Sequence, residues 1–256
     1  MPSTDTLRIL LLQFRPDPLV CEHEVEGFAA HAGMRLDQIR AVNALEADLD
    51  FSLLDGVDAL MLGGSGDYLL TQGHIPEVAE KVKTLIREAR RRGLPTLGVC
   101  FGAQFVTLAL GGELKHDLER QETGTFLVSK TPAAAACPIF SQLPDRFDAQ
   151  LGHKDHLEVM PAGAVHLVSS ERSPIQAYTF PGEPLYAMII HPEMDEDGMM
   201  FRIDYYGKNY GIPKETQDAF RAALRPSPDA SRILRLFLEK VVAGGERYPV
   251  ILESVL

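Results

Sequence analysis

The sequence predicts an α/β three-layer sandwich on a mixed, mostly parallel central sheet. Three observations carry that expectation. In the first half, apolar runs short enough for strands buried on both faces alternate with helical stretches. One such strand turns straight into a helix at a glycine-flanked cysteine. In the second half, shorter strand-like runs are separated by turn residues, which fits an antiparallel extension of the same sheet.

Leu7 to Phe14 is a Leu- and Ile-rich run, stopped by Arg15-Pro16-Asp17-Pro18. Glu22 to Ala32 reads as a helix ending near Gly33, and Met34 to Val42 as a second strand. Val57 to Leu62 is another apolar run, and it empties into Gly63-Gly64-Ser65-Gly66. Pro76 opens a helix over Glu77 to Arg92, with Gly93 just past its end. Leu94 to Val99 is the next buried strand. Cys100 follows at once, then a helical stretch from Ala103 to Leu110 and the stop Gly111-Gly112.

This order implies parallel strands joined by right-handed crossovers. Thr125 to Ser129, Val165 to Ser169, Ile175 to Phe180 and Leu185 to Ile190 supply the shorter strands. Gly152 to His156 reads as a polar loop, and Ser231 to Val242 as a late helix. With 256 residues and no long structureless run, one domain over 1–256 is expected, with its core at 7–193 and a helical extension over 194–256.

The formal net charge is -11, from 36 acidic and 25 basic side chains. Such a surface repels nucleic-acid phosphates and anionic membranes. Arg90-Arg91-Arg92 is the densest basic run, and it suits the last turn of a helix. Cys21, Cys100 and Cys137 are far apart, with no C-x-x-C spacing, so neither a zinc knuckle nor a disulfide framework is indicated. Met1 to Asp5 carries no signal pattern, and no apolar run reaches the roughly 18 residues of a membrane span. The expected compartment is a reducing cytoplasm.

Gly98-Val99-Cys100-Phe101-Gly102 has the pattern of a nucleophile elbow. The two glycines let strand and helix approach, and the helix N-terminus favours a thiolate and offers N–H groups to an oxyanion. Taken alone, the motif equally suits a small apolar cysteine filling a strand end.

A thiol also needs a base, and the base needs an orienting acceptor. Leu185 to Ile190 ends in His191-Pro192-Glu193, which supplies both from one stiff turn. H-P-E alone would pass for a strand-ending turn. His153 and His156 compete for the base role, but His191 stands at a strand end and is preferred.

G-V-C-F-G-A-Q from Gly98 to Gln104, followed by H-P-E from His191, resembles the class I (triad) glutamine amidotransferases, closest to the glutaminase part of GMP synthases and their stand-alone relatives. Gly63-Gly64-Ser65-Gly66 is similar to their glycine-rich oxyanion strand. Gly152 to Asp155, Pro161, Ser169-Ser170 and Ile175-Gln176-Ala177 are similar to their S-H-x-D … S-S … I-Q-A stretch. Four ordered motifs are more specific than one.

The resemblance implies a flavodoxin-like sandwich and a set of roles. Cys100 attacks the glutamine side-chain amide and forms a γ-glutamyl thioester. His191 protonates the leaving ammonia and then activates water, and Glu193 orients it. The N–H groups of Gly64 and Phe101 form the oxyanion hole, while Gln104, Gly63 and the backbone around Lys154 and Asp155 hold the substrate. No metal or cofactor is implied.

Two departures stand out. The proline of the usual S-G-G-P is missing after Leu62-Gly63-Gly64-Ser65, and Gly152 replaces the family's frequent Ser or Asn. Nothing after Glu193 resembles a synthetase.

Three functions follow. One is a glutaminase passing ammonia to a separate synthetase subunit. The second is a stand-alone hydrolase of γ-glutamyl peptides or conjugates. The third is a catalytically silent regulatory module, which an intact Cys100, His191 and Glu193 disfavour. The expected partners are L-glutamine or a γ-glutamyl substrate, a second copy in a homodimer and the separate synthetase, with no nucleic acid and no membrane. Met194, Met199 and Met200 with Asp195, Glu196 and Asp197 read as a helix start with core-facing methionines. Tyr205, Tyr206 and Tyr210 read as helix packing.

Overall fold

The structure, a computed structural model, describes residues 4–250. Met1, Pro2 and Ser3 of the polar start, and the end of the 194–256 stretch from 251 on, lie outside the described residues.

β1 (Ile9–Gln13) is buried throughout. Its side chains divide by parity, Ile9 and Leu11 into one buried cluster, Leu10 and Leu12 into the other. α1 (Pro18–Ala32) starts earlier than the expected Glu22. Pro18 fills the first helical position, where it forfeits no hydrogen bond, and Asp17 caps the helix by accepting from the Leu19 N–H at 2.8 Å.

β2 (Ile39–Asn43) is shorter than the expected strand, because Leu36–Gln38 forms a 3-10 turn. Then come β3 (Ala59–Leu62), α2 (Pro76–Arg91), β4 (Thr96–Val99) and α3 (Phe101–Ala109).

The middle of the chain holds β5 (Glu113–His116), β6 (Glu122–Lys130), β7 (Arg146–His153) and β8 (Asp155–Val159). The expected polar loop at Gly152 to His156 is therefore two strand ends meeting at Lys154. Its polar side chains satisfy one another inside the protein, so their polarity marks no exposure. β9 (Val165–Ser170), β10 (Ala177–Thr179) and β11 (Leu185–Met188) follow, then α4 (Glu196–Asn209), α5 (Lys214–Ala222) and α6 (Pro228–Leu236).

The main sheet runs β2-β1-β3-β4-β11-β10-β9-β6-β7, with β5 and β8 in a separate pair. Strands from β2 to β11 are parallel, and those from β10 to β7 are antiparallel to their neighbours. α1 and α6 cover one face and α2 and α3 the other, so the expected three layers are present. α6 continues as a π-helical segment over Phe237–Ala243, and Ile233, Leu234 and Val241 share a buried cluster with β1. The last helix is thus part of a layer, while α4 and α5 lie over the carboxyl edge of β4.

Candidate active site

β4 ends in the middle of the parallel half, where side chains from neighbouring strand ends converge. Cys100 follows it with φ 49° and ψ -104°, a left-handed conformation that a residue with a side chain rarely adopts. The flanking glycines are required for it. A Cβ on Gly98 would stand 2.7 Å from the Gly102 carbonyl oxygen, and one on Gly102 would stand 2.3 Å from that of Leu62. Packing at that distance holds the thiol where the strand meets α3.

β11 delivers the base. His191 and Glu193 are both buried, and the Nδ1 of His191 meets Glu193 Oε1 at 2.7 Å. Burial disfavours an imidazolium, but Glu193 and Cys100 outweigh it and push His191 up to about 10. Burial likewise opposes the Glu193 charge, yet His191 keeps that carboxyl below its ordinary range.

Cys100 Sγ stands 4.0 Å from the Gly152 carbonyl, at the long limit for sulfur, and its side chain hydrogen-bonds with His191. The competing histidines are engaged elsewhere. His153 Nε2 meets Glu122 at 2.8 Å, and His156 meets Ser173 and the Asp117 carbonyl. The geometry unites Cys100, His191 and Glu193.

The expected oxyanion and substrate groups fare unevenly. Phe101 opens α3, so its N–H has no acceptor within the helix. Gly64 comes close to the thiol: a Cβ placed there would stand 3.1 Å from His191 Cε1 and 3.7 Å from Cys100 Cβ. Its N–H, however, donates to Glu24 Oε1 at 3.1 Å and is not free for an oxyanion in this conformation. The missing proline and the buried Glu24 beneath this segment account for the difference.

Gly63 does not line the cavity. Its N–H donates to Leu12 and its carbonyl accepts from Gly102, so its place is in packing. Gln104 does line the cavity, and its buried Oε1 has no partner, as a substrate-binding amide requires. Lys154 is exposed at the rim. The Asp155 carboxylate is committed to Thr71 and His116, so only backbone near it is available. Among the described residues, no three His, Cys, Asp or Glu side chains are placed to hold a metal ion.

The chain matches the family model "Glutamine amidotransferase class-I" over residues 29–199, well over half its length. The chain belongs to the class I glutamine amidotransferases. The glutamine-hydrolysing subunit of GMP synthase from Methanocaldococcus jannaschii is 32% identical over 115 residues, 45% of this chain and 59% of that protein. The corresponding subunit from Thermoplasma volcanium is 29% identical over 148 residues, 58% of this chain and 68% of that one.

Among solved structures, a glutamine amidotransferase from Thermotoga maritima has a TM-score of 0.67 at 20% identity, covering 92% of this chain and 98% of its own. One from Methylobacillus flagellatus has a TM-score of 0.64 at 17% identity, covering 97% and 99%. Both likenesses establish the fold.

This amidotransferase carries site residues that its sequence motifs do not announce. Arg15, just past β1, is buried and meets Glu24 at 2.7 Å and the Tyr206 hydroxyl at 2.9 Å. Burial alone would lower the Arg15 pKa, but Glu24 more than offsets it and the guanidinium stays charged. The available signal was position, since a cation directly after a parallel strand lies at the carboxyl edge.

Asp195 caps α4 as expected, and Met194 and Met199 are buried. Tyr206 and Tyr210, read as helix packing, instead line the cavity, and both hydroxyls bond Asp67. That cavity, about 570 Å³, contains Cys100, His191, Gln104 and the α4–α5 hairpin. A second cavity, about 680 Å³, lies by Arg87, Arg90 and Leu185 at the opposite edge of the sheet, away from the thiol.

Proposed function

We propose that this protein hydrolyses the side-chain amide of glutamine to glutamate and ammonia. The single observation that carries the reading is a strained elbow cysteine facing a buried histidine whose other ring nitrogen meets a carboxylate at 2.7 Å. The Cys100 thiolate attacks the amide carbon, and the Phe101 N–H stabilises the developing oxyanion. His191 then gives its proton to the leaving nitrogen, and a thioester remains. Water, deprotonated by His191, releases glutamate and restores the thiol. Gly64 joins the oxyanion hole when its N–H leaves Glu24.

The two GMP synthase relatives support an ammonia acceptor on a separate synthetase polypeptide. The match to the M. jannaschii protein spans under two thirds of that protein, so the partner is proposed on family grounds. Among the described residues, no helix is long and apolar enough to cross a membrane. That agrees with the cytoplasmic placement proposed from the cysteine pattern.

The test is release of ammonia and glutamate from L-glutamine by the purified protein beside Cys100→Ala. A loss of at least about a thousandfold in the variant is expected, as for removal of a covalent nucleophile. Turnover that survives in the variant would overturn the proposal.

A further inference from the structure

An ammonia leaving group needs about the space of a water, roughly 30 Å³. The cavity at Cys100 is far larger, at about 570 Å³, and falls in the range of small-molecule pockets. Its extra room lies on the side of the leaving nitrogen. A Cβ placed on Gly152 would stand 3.8 Å from His191 Nε2 and 3.9 Å from the terminal methyl of Met199. The nitrogen that His191 protonates therefore faces Met199 and the side-chain-free Gly152.

From Met199 onward, α4 presents Arg202, Ile203 and Tyr206 to the cavity at helical spacing. Met199 and Ile203 form a small apolar cluster of their own with Met194 and Phe220, separate from the two main cores. In that apolar wall sits a buried charge. Arg202 is 5% exposed, and none of its three guanidinium nitrogens has a hydrogen-bond partner.

Nearby carboxylates do not bind it. Glu24 is held by Arg15, Gly64 and Gln13, and Glu193 by His191. Burial and the neighbouring Arg15 lower Arg202 to about 10, so it remains a cation at neutral pH. An unpaired buried guanidinium is costly, and an arriving anion removes the cost.

We infer that the leaving-group side of this site takes an α-amino acid, so that the donor is a γ-glutamyl dipeptide with an apolar C-terminal residue whose carboxylate is bound by Arg202. This rests on the Cys100 thioester reading and names its substrate class. The γ-glutamyl C–N bond breaks as the Cys100 S–C bond forms, and the free amino acid departs carrying the His191 proton. Water then cleaves the thioester to glutamate.

The experiment compares γ-glutamyl-leucine with γ-glutamyl-isopentylamide, which has the same side chain but no carboxylate, in wild type and Arg202→Met. Wild type is expected to prefer the dipeptide in kcat/KM by at least about tenfold, mainly through KM. That ratio is expected to collapse toward one in the variant. A wild-type ratio near one overturns the inference without any variant. A ratio preserved in Arg202→Met also overturns it, and assigns Arg202 to Glu193 instead. If glutamine and both amides are all inert in wild type, the thioester reading itself has failed.

Discussion

The two walls of the active-site cavity are built on opposite principles. At the elbow, nearly every polar group is committed and nearly every gap is closed. Gly63, Gly98 and Gly102 admit no side chain, and Glu24 meets the Arg15 guanidinium, the Gly64 N–H and Gln13. Across the cavity, α4 and α5 present an apolar patch and an arginine with no acceptor. The elbow fixes reacting atoms, which tolerate little displacement. The helical wall leaves an unmet demand that a ligand can satisfy, and so it sets specificity.

Two substitutions sharpen that contrast. Glu24→Gln strips the counter-charge from Arg15 inside the protein, and a loss of about 3–5 kcal/mol is expected in denaturant unfolding. Arg202→Met removes a buried charge that has no partner, and an outcome between no change and a gain of about 1–4 kcal/mol is expected. Equal losses at the two positions would erase the distinction.

A smaller effect is expected in the pH dependence. His191 has a folded pKa raised from 6.5 to about 10. Its stabilising contribution is complete below about pH 6.5 and fades as pH rises through about 10. The imidazolium that protonates the leaving nitrogen persists over the same window. The alkaline limb of kcat/KM is therefore expected near pH 10, and a limb near 6.5 would show that Glu193 and Cys100 do not hold the proton there.

Local rules carried much of this architecture in the sequence. Short apolar runs located the parallel strands, and Gly98, Gly102 and the H-P-E turn located the reacting groups, because tight turns restrict residue type. Pro18 misled because proline both ends and begins helices. The strands through Gly152 to His156 were hidden because their polar side chains pair with partners remote in sequence, such as Glu122 with His153. Arg15, Glu24 and Arg202 were illegible for the same reason. Their roles arise where β1, α1 and α4 meet, and no spacing along the chain records that meeting.

The central claim is that Cys100 is the nucleophile, and the other two cysteines provide internal controls. Cys21 is half-buried and Cys137 is buried, and burial raises the pKa of both thiols. The decisive measurement is peptide mass mapping after exposure to a limiting glutamine-derived diazoketone, with excess glutamine as competitor. The account predicts one adduct, on Cys100, suppressed by glutamine and absent in His191→Gln. Labelling spread over Cys21 and Cys100 alike, or labelling indifferent to glutamine, would contradict it.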